Sequence, residues 1–141
     1  MKTIETDILL IEDNPTDREL FLRAFQKSRM AHRIEIAEDG QQALDLLFSK
    51  TTTIIPKLII LDLDLPIISG MDVLKSIRNT NQTKNIPVVI FTGSNKESDK
   101  LASMSEGVNR FITKPVSFNE FITCVKEIGL YWLQITKQAH N

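Results

Sequence analysis

Short apolar runs alternate with longer amphipathic stretches along this chain. Ile8-Leu9-Leu10-Ile11 is apolar throughout and stops abruptly at Glu12-Asp13. A run of that length without polar alternation predicts a strand buried on both faces. Asn14-Pro15 reads as a helix start, an N-cap residue followed by proline at the first helical position, and Leu20, Phe21, Ala24 and Phe25 then recur at helical spacing. Arg33-Ile34-Glu35-Ile36-Ala37 alternates like a second strand. Asp39-Gly40 makes a turn, and Ala43, Leu44, Leu47 and Phe48 supply one helical face. Leu58-Ile59-Ile60-Leu61 is a third, buried strand that ends in Asp62. A loop from Pro66 to Gly70 leads into a helix carrying Val73, Leu74 and Ile77. Pro87-Val88-Val89-Ile90-Phe91 is a fourth strand, ending in Thr92-Gly93. A mostly polar helix follows from about Asn95 to Ser105, with Leu101 and Met104 as its few apolar residues, and Gly107 stops it. Asn109-Arg110-Phe111-Ile112-Thr113 is a short fifth strand leading to Lys114-Pro115, and Ser117 caps a long last helix.

Five strands alternating with five helices predict an α/β fold, a doubly wound parallel sheet covered on both faces. Right-handed crossovers leave few topologies, and the flavodoxin-like order 2-1-3-4-5 is the expected one. In such a sheet the ligand site lies beyond the carboxyl ends of the strands. Those ends carry the chemistry here: Glu12 and Asp13 after the first strand, Asp62 and then Asp64 after the third, Thr92 at the fourth and Lys114 after the fifth.

Length and composition narrow the function classes. The 141 residues are one domain's worth, and 42% hydrophobic with 25% charged residues is the balance of an ordinary globular protein. A net charge of −1 supplies no electrostatic footprint for nucleic acid. Cys124 is the only cysteine, so there is no internal disulfide and no Cys/His zinc pattern, and it reads as a small core residue. The opening MKTIETD lacks the apolar run of a signal peptide, and no stretch approaches the ~18 apolar residues of a membrane span. A cytoplasmic location with no membrane contact is therefore expected.

Taken singly, an acidic residue at a strand end is a helix cap or a solvated charge, Thr92 a turn former and Lys114 a surface cation. Their presence at four strand ends together changes the reading. Two carboxylates ~5 Å apart at an effective dielectric of ~20 repel by roughly 3 kcal/mol. Several in one pocket raise one another's pKa values or require counter-charge. Lys114 offers one positive charge; a divalent cation offers two, and all-oxygen ligands with room for water favour Mg²⁺. A nucleophilic carboxylate beside such an ion, with a hydroxyl and an ammonium for the remaining oxygens, suits phosphoryl transfer.

This set resembles the receiver domains of bacterial response regulators, over nearly the whole chain. Glu12-Asp13 resembles the family's acidic pair, and Asp62 in LDLDLP, with Pro66 four residues on, its phospho-acceptor. Thr92 and the TKP around Lys114 resemble the hydroxyl and lysine that contact the phosphoryl group, and Gly70 falls where the family has glycine after the acceptor. The resemblance implies a single receiver domain over residues 1–141, with a core of about 6–129 and a C-terminal helical extension of about 130–141. It implies that Asp62 takes a phosphoryl group from a phosphohistidine of a sensor histidine kinase. It implies Mg²⁺ held by Asp13, Asp62 and the backbone carbonyl of Asp64, with Glu12 acting mainly through water. It further implies that Thr92 turns toward the phosphoryl group and Phe111 moves inward behind it, remodelling the face of helix four, strand five and helix five. Two departures stand out. Asp64 carries a carboxylate where many relatives are neutral, and Gly93 follows Thr92 where Ala, Ser or Thr is frequent, opening the pocket slightly.

Beyond Lys114 there is room for one helix, and no DNA-binding or enzymatic output domain fits there. Phe118, Phe121, Ile122, Val125, Ile128, Trp132 and Ile135 form a core stripe, while Leu130, Tyr131 and Leu133 fall on other faces. An apolar excess on several faces points to a partner surface, with Tyr131 and Trp132 as candidate interface residues, or to a segment folded back on its own domain. GLYWLQI near the end, with IEDNPTD at the front, is similar to the single-domain response regulators that serve bacterial phytochromes. Those commonly pair through this region, which implies a homodimer and a phytochrome kinase partner. Two other functions fit parts of the pattern. Asp62-Leu63-Asp64 also resembles the nucleophile motif of haloacid-dehalogenase-type phosphatases. Against that stand the acidic strand before it, Pro66, and the lack of an acidic motif after Lys114. A receiver fold serving only as a binding module, never phosphorylated, is opposed by the intact acidic set.

Overall fold

The computed structural model describes residues 2–28 and 33–139. Its elements alternate as β1 (Lys2–Ile11), α1 (Pro15–Ser28), β2 (Ile34–Ala37), α2 (Gly40–Phe48), β3 (Thr52–Leu61), α3 (Gly70–Arg78), β4 (Val88–Thr92), α4 (Glu97–Ser105), β5 (Arg110–Thr113) and α5 (Phe118–Ala139). The strands form one sheet in the order β2-β1-β3-β4-β5, all adjacent pairs parallel, as the alternation predicted. The register Ile11↔Ala37, Ile11↔Leu61, Leu61↔Ile90 and Thr92↔Thr113 brings the carboxyl ends of all five strands to one rim.

β1 and β3 each begin six residues earlier than their apolar runs indicated, at Lys2 and Thr52 rather than at Ile8 and Leu58. The first halves of these strands pair only with each other, from Lys2↔Thr52 to Thr6↔Pro56. They therefore alternate instead of being buried throughout: Thr6, Ile54 and Pro56 face inward, Glu5, Ile55 and Lys57 outward. Pro56 cannot donate to a ladder; it pairs with Thr6 of β1 and precedes the stretch of β3 that pairs with β4.

Side-chain alternation splits the core in two. Leu9, Ile11, Ile59, Leu61 and Ile90 pack against α2 and α3 through Ala43, Leu47, Val73, Leu74 and Ile77. Ile8, Leu10, Leu58, Ile60, Val89 and Phe91 pack against α1 and α5 through Phe21, Phe25, Phe121, Val125, Ile128 and Trp132. On the second face Phe21 stacks on Phe25 at 4.7 Å, and Phe91 meets Phe121 edge-on at 5.1 Å.

The caps expected at Asn14 and Ser117 form, the latter accepting from the Glu120 N–H (3.4 Å), and Asp39 and Ser69 cap α2 and α3. Asp17 N–H donates to Asn14 Oδ1 (3.0 Å), Gln42 N–H to Asp39 Oδ1 (2.7 Å) and Asp72 N–H to Ser69 Oγ (3.2 Å). α4 starts at Glu97, two residues after the predicted start, and its N-cap Lys96 offers no side-chain acceptor. Gly107 ends the turn after α4 at φ 78°, a left-handed conformation that glycine adopts without penalty.

α5 is one continuous helix, so the predicted extension beyond residue 129 is its last turns; residues 140–141 lie outside the described residues. Two assignments on α5 change. Phe118 was expected in the core stripe but is 61% exposed, because the stripe first reaches the sheet at Phe121. Trp132 was a candidate interface residue but is buried against the sheet in this chain, 2% exposed, so its ring is not on the surface. Tyr131 is half-buried under the Arg110 guanidinium, 4.8 Å from ring centroid to Cζ. Cys124 is half-buried beside the second core cluster, and burial pushes its thiol pKa up. No helix among the described residues is long and apolar enough to cross a membrane.

Truncating a buried indole removes transfer energy and leaves a cavity. Trp132→Ala is expected to destabilise the fold by about 3–5 kcal/mol in urea unfolding, whatever the oligomeric state. Gly70 is limited by space rather than by φ: a Cβ there would sit 2.2 Å from the carbonyl oxygen of Asp62 and 2.5 Å from Leu63 Cα. Gly70→Ala is therefore expected to lower the melting temperature and to disturb the Asp62 backbone; an unchanged melting temperature would show that the loop yields freely.

Candidate functional site

The rim at the carboxyl ends of the strands is where the sheet delivers its polar residues. β1 runs into Glu12 and Asp13, and the Glu12 N–H still pairs with the Ala37 carbonyl (3.0 Å). β3 runs into Asp62, whose N–H pairs with the Ile11 carbonyl (3.1 Å). The Lys114 N–H donates to the Thr92 carbonyl (2.6 Å), carrying the β4–β5 ladder one residue past β5. The functional side chains are thus fixed by ladder hydrogen bonds, with the loops following them.

Asp62 is buried, 4% exposed, and both of its oxygens are engaged. Oδ1 accepts from the Thr92 hydroxyl at 2.7 Å and from the Asp64 amide at 3.0 Å. Oδ2 accepts from Lys114 Nζ at 2.8 Å. The same ammonium lies 2.5 Å from Glu12 Oε1 and 3.0 Å from Asp17 Oδ2. Lys114 Nζ stands 6.0 Å from the centroid of the Phe91 ring, so the aromatic layer of the second core lies beneath it.

Glu12, Asp13 and Asp62 each offer a carboxylate oxygen within 4.8 Å of the others. Asp13 is exposed, whereas Glu12 is 3% exposed, with its Oε2 accepting from the Asn14 amide (3.1 Å). Lys114 Nζ contacts three carboxylates, those of Glu12, Asp17 and Asp62, and Asp13 stands beside Glu12 and Asp62. Burial, with the Asp62 charge adding to it, pushes the Glu12 pKa up to about 7 against the opposing pull of Lys114. Burial alone would lower the Lys114 pKa; its hydrogen bonds and charge contacts with Asp62 and Glu12 outweigh that and hold it above the ordinary lysine value. A site so short of positive charge, with three oxygens converging and one side open, fits a hard divalent cation.

The side chains border an open depression of about 510 Å³, lined among others by Asp13, Asp17, Asp62, Asp64, Gly93 and Lys114. Asp64 places an exposed side chain there, and its amide turns back to Asp62. A Cβ on Gly93 would meet nothing within 4 Å, so its absence leaves the rim wide. The loop after Asp62 closes a tight turn, Ile68 N–H to the Pro66 carbonyl at 2.8 Å, with Ile67 at its centre at φ 72°. That is a strained setting for a β-branched side chain, costing on the order of 1–3 kcal/mol. Phe111 lies away from the depression, half-buried against the α2–α3 side of the core.

Every strand-end residue singled out in the sequence reaches this rim; Phe111, Tyr131 and Trp132 do not border it. Sequence reasoning missed two others. Asp17 is one turn beyond Asp13, where an acid in the first turn of a helix has an ordinary explanation in the helix dipole. Arg18 donates to the backbone carbonyls of Glu12 (3.1 Å) and Asp13 (2.9 Å), fixing the acidic corner from α1, and no spacing rule marks such a contact.

The geometry has counterparts among known proteins. The family model for the response regulator receiver domain matches residues 8–126. The probable methanogenesis regulatory protein FilR2 of Methanothrix harundinacea is 38% identical over 128 residues, which span 89% of this chain and 83% of that protein. The response regulator Rcp1 of Synechocystis is 35% identical over 130 residues, 90% of this chain and 88% of Rcp1. The crystal structure of its Mn²⁺-bound form superposes with a TM-score of 0.84 at 33% identity, covering 94% of this chain and 95% of that one. The phosphorylated cyanobacterial phytochrome response regulator RcpA superposes with a TM-score of 0.83 at 34% identity, covering 92% and 94%. The family match over most of the chain and these relatives establish that the chain belongs to the response regulator receiver domain family of two-component signalling.

Proposed function

We propose that Asp62 is the phospho-acceptor of this receiver domain and that its phosphorylation is the switch. The observation that carries the reading is the division of labour at the Asp62 carboxylate. Thr92 and the Asp64 amide hold one oxygen, Lys114 holds the other, and the residue faces an open depression. In the reaction an Asp62 oxygen attacks the phosphorus of a phosphohistidine. The P–O bond forms as the P–N bond breaks, and the imidazole leaves with the electron pair. Asp13, Asp62 and the backbone carbonyl of Asp64 are the residues that would hold Mg²⁺, with Glu12 reaching it through water. When bound, the ion neutralises charge on the phosphoryl oxygens. Lys114 and the Thr92 hydroxyl then bind phosphoryl oxygens.

The phosphoryl group carries about −1.5 to −2 at neutral pH in place of the carboxylate's −1, and the added charge is read out by Thr92 turning toward it and Phe111 shifting inward behind it. The face changed is that of α4, β5 and α5. The donor is a sensor histidine kinase, and the likeness to RcpA supports one of phytochrome type. The domain works in the cytoplasm. Pairing of two copies through α5 is supported by the exposure of Leu130 and Leu133, at 63% and 45%, with Tyr131 beside them. The buried Trp132 contributes packing within its own chain. The chain acts as a switch that promotes its own phosphorylation and dephosphorylation.

Incubation with acetyl phosphate and Mg²⁺ is expected to load about one phosphoryl group per chain, seen as intact mass. Asp62→Asn is expected to abolish that uptake; equal labelling of the variant would remove Asp62 as acceptor. Sustained release of phosphate from a monoester, far beyond one equivalent, would favour the phosphatase reading.

Glu12 makes stability depend on pH in an unusual direction. Its folded pKa, about 7, lies above the ordinary value of 4.5, so the folded state binds the proton more tightly. The stabilisation from that proton is fully present below about 4.5 and is lost as pH rises to about 7, by up to about 3 kcal/mol. Without divalent metal, the melting temperature should therefore carry a falling contribution across that window, and Glu12→Gln should flatten it. Mg²⁺ should raise the melting temperature more at pH 8 than at pH 5. Identical pH profiles for the wild type and Glu12→Gln would contradict this account.

A further inference from the structure

We propose that Asp17 is a positioning residue that sets how readily Lys114 becomes available to an incoming phosphoryl group. This rests on the reading of Asp62 as acceptor. An ammonium has three N–H donors. Lys114 lies within bonding distance of three carboxylates, those of Glu12, Asp62 and Asp17. A phosphoryl oxygen can reach the ammonium only if one of them gives way. Asp62 is the nucleophile itself. Glu12 is the nearest, is buried, and has its second oxygen tied to the Asn14 amide. Asp17 has the longest contact, 3.0 Å, and the most accessible side chain of the three, 22% exposed. Water can replace Lys114 at Asp17 at least cost, so Asp17 is the partner that yields.

The side chain is not explained by the start of α1. The exposed amide at that point is satisfied by Asn14, whose Oδ1 accepts from the Asp17 backbone N–H, while the Asp17 carboxylate reaches across to a lysine 97 residues further along the chain. The same carboxylate lines the depression through which a phosphoryl donor arrives. Its two effects have one sign. It occupies a Lys114 donor, and its charge opposes an anion entering the site. Both raise the concentration of donor needed. Neither touches the bond-forming oxygen of Asp62 or the Thr92 hydroxyl, so the maximal rate is left nearly unchanged.

The test follows phosphorylation of the purified full chain by acetyl phosphate at saturating Mg²⁺. An Asp62 oxygen forms the new P–O bond, the bond from phosphorus to the acetyl oxygen breaks, and acetate leaves with the electron pair. The rate is measured against acetyl phosphate concentration at low and high ionic strength. Asp17→Asn, which keeps shape and removes charge, is expected to lower the half-saturating concentration roughly three- to tenfold at low salt, with a maximal rate within about twofold. The difference should shrink at ~1 M salt, where screening is short-ranged. Asp17→Glu, which keeps the charge, should stay near wild type. An Asn variant with an unchanged or higher half-saturating concentration overturns the proposal, as does a Glu variant that behaves like the Asn one, or an effect insensitive to salt. A wild-type chain that takes up no phosphoryl group removes the acceptor assignment and this inference together; normal uptake with no effect at Asp17 removes this inference alone.

Discussion

The Lys114 ammonium stands among the carboxylates of Glu12, Asp17 and Asp62, with Asp13 beside them, and the functional end of the molecule is organised by that imbalance. Each pair of carboxylates ~5 Å apart costs roughly 3 kcal/mol in a partly buried site. One lysine cannot offset several such pairs. The architecture tolerates the cost because it is placed where parallel strands end, with backbone ladders holding each residue while one side stays open to solvent and ions. The shortage of positive charge and the open side are linked: closing the site without a cation would bury uncompensated charge.

The rest of the fold can be understood as support for that arrangement. Apolar layers on both faces of the sheet fix the strands, and the aromatic layer of Phe21, Phe25, Phe91 and Phe121 lies on the α1–α5 side under Lys114. Arg18 clamps the acidic corner through backbone carbonyls, and Gly70 lets α3 begin against the backbone of Asp62. α4 is held more lightly. Ser103 is its one buried residue, and that hydroxyl has no hydrogen-bond partner among the described residues. Leu101 and Met104 stay exposed. A bonded route nonetheless reaches α4 from Asp62, because Asp62 Oδ1 accepts from the Thr92 hydroxyl, that hydroxyl accepts from the Ser94 amide (3.4 Å), and Ser94 Oγ donates to Asp99 Oδ2 (2.5 Å). An element with little burial and a direct link to the site can move at small cost.

The sheet order and the strand-end chemistry were legible in the sequence because both depend on short-range pattern. Buried parallel strands announce themselves as unbroken apolar runs, and the polar residue that ends each run is at the rim. The first halves of β1 and β3 were not legible, since a strand with one neighbour shows only period-2 alternation, and Pro56 and Lys57 broke even that. Asp17 escaped notice for a different reason. Its partner is 97 residues away, and nothing local separates a helix-start acid from one that reaches a distant lysine. Phe118 shows the limit of helical periodicity: seven apolar positions fit one stripe and Trp132 is buried as that stripe predicts, but where the stripe first meets the sheet is decided by the tertiary packing.

Strand β5 connects the two faces of the sheet. Arg110 and Phe111 are adjacent, so they point to opposite faces of the sheet. Phe111 packs toward the α2–α3 side, while the Arg110 guanidinium covers the Tyr131 ring on α5. A displacement of the backbone at Phe111 therefore carries Arg110 with it and alters the cover over Tyr131. A cation–π contact at an exposed site is worth about 0.5–1 kcal/mol, small against the cost of disturbing the buried stripe from Phe121 to Trp132. A shift of β5 would thus alter the cover over Tyr131 and leave the buried stripe of α5 in place.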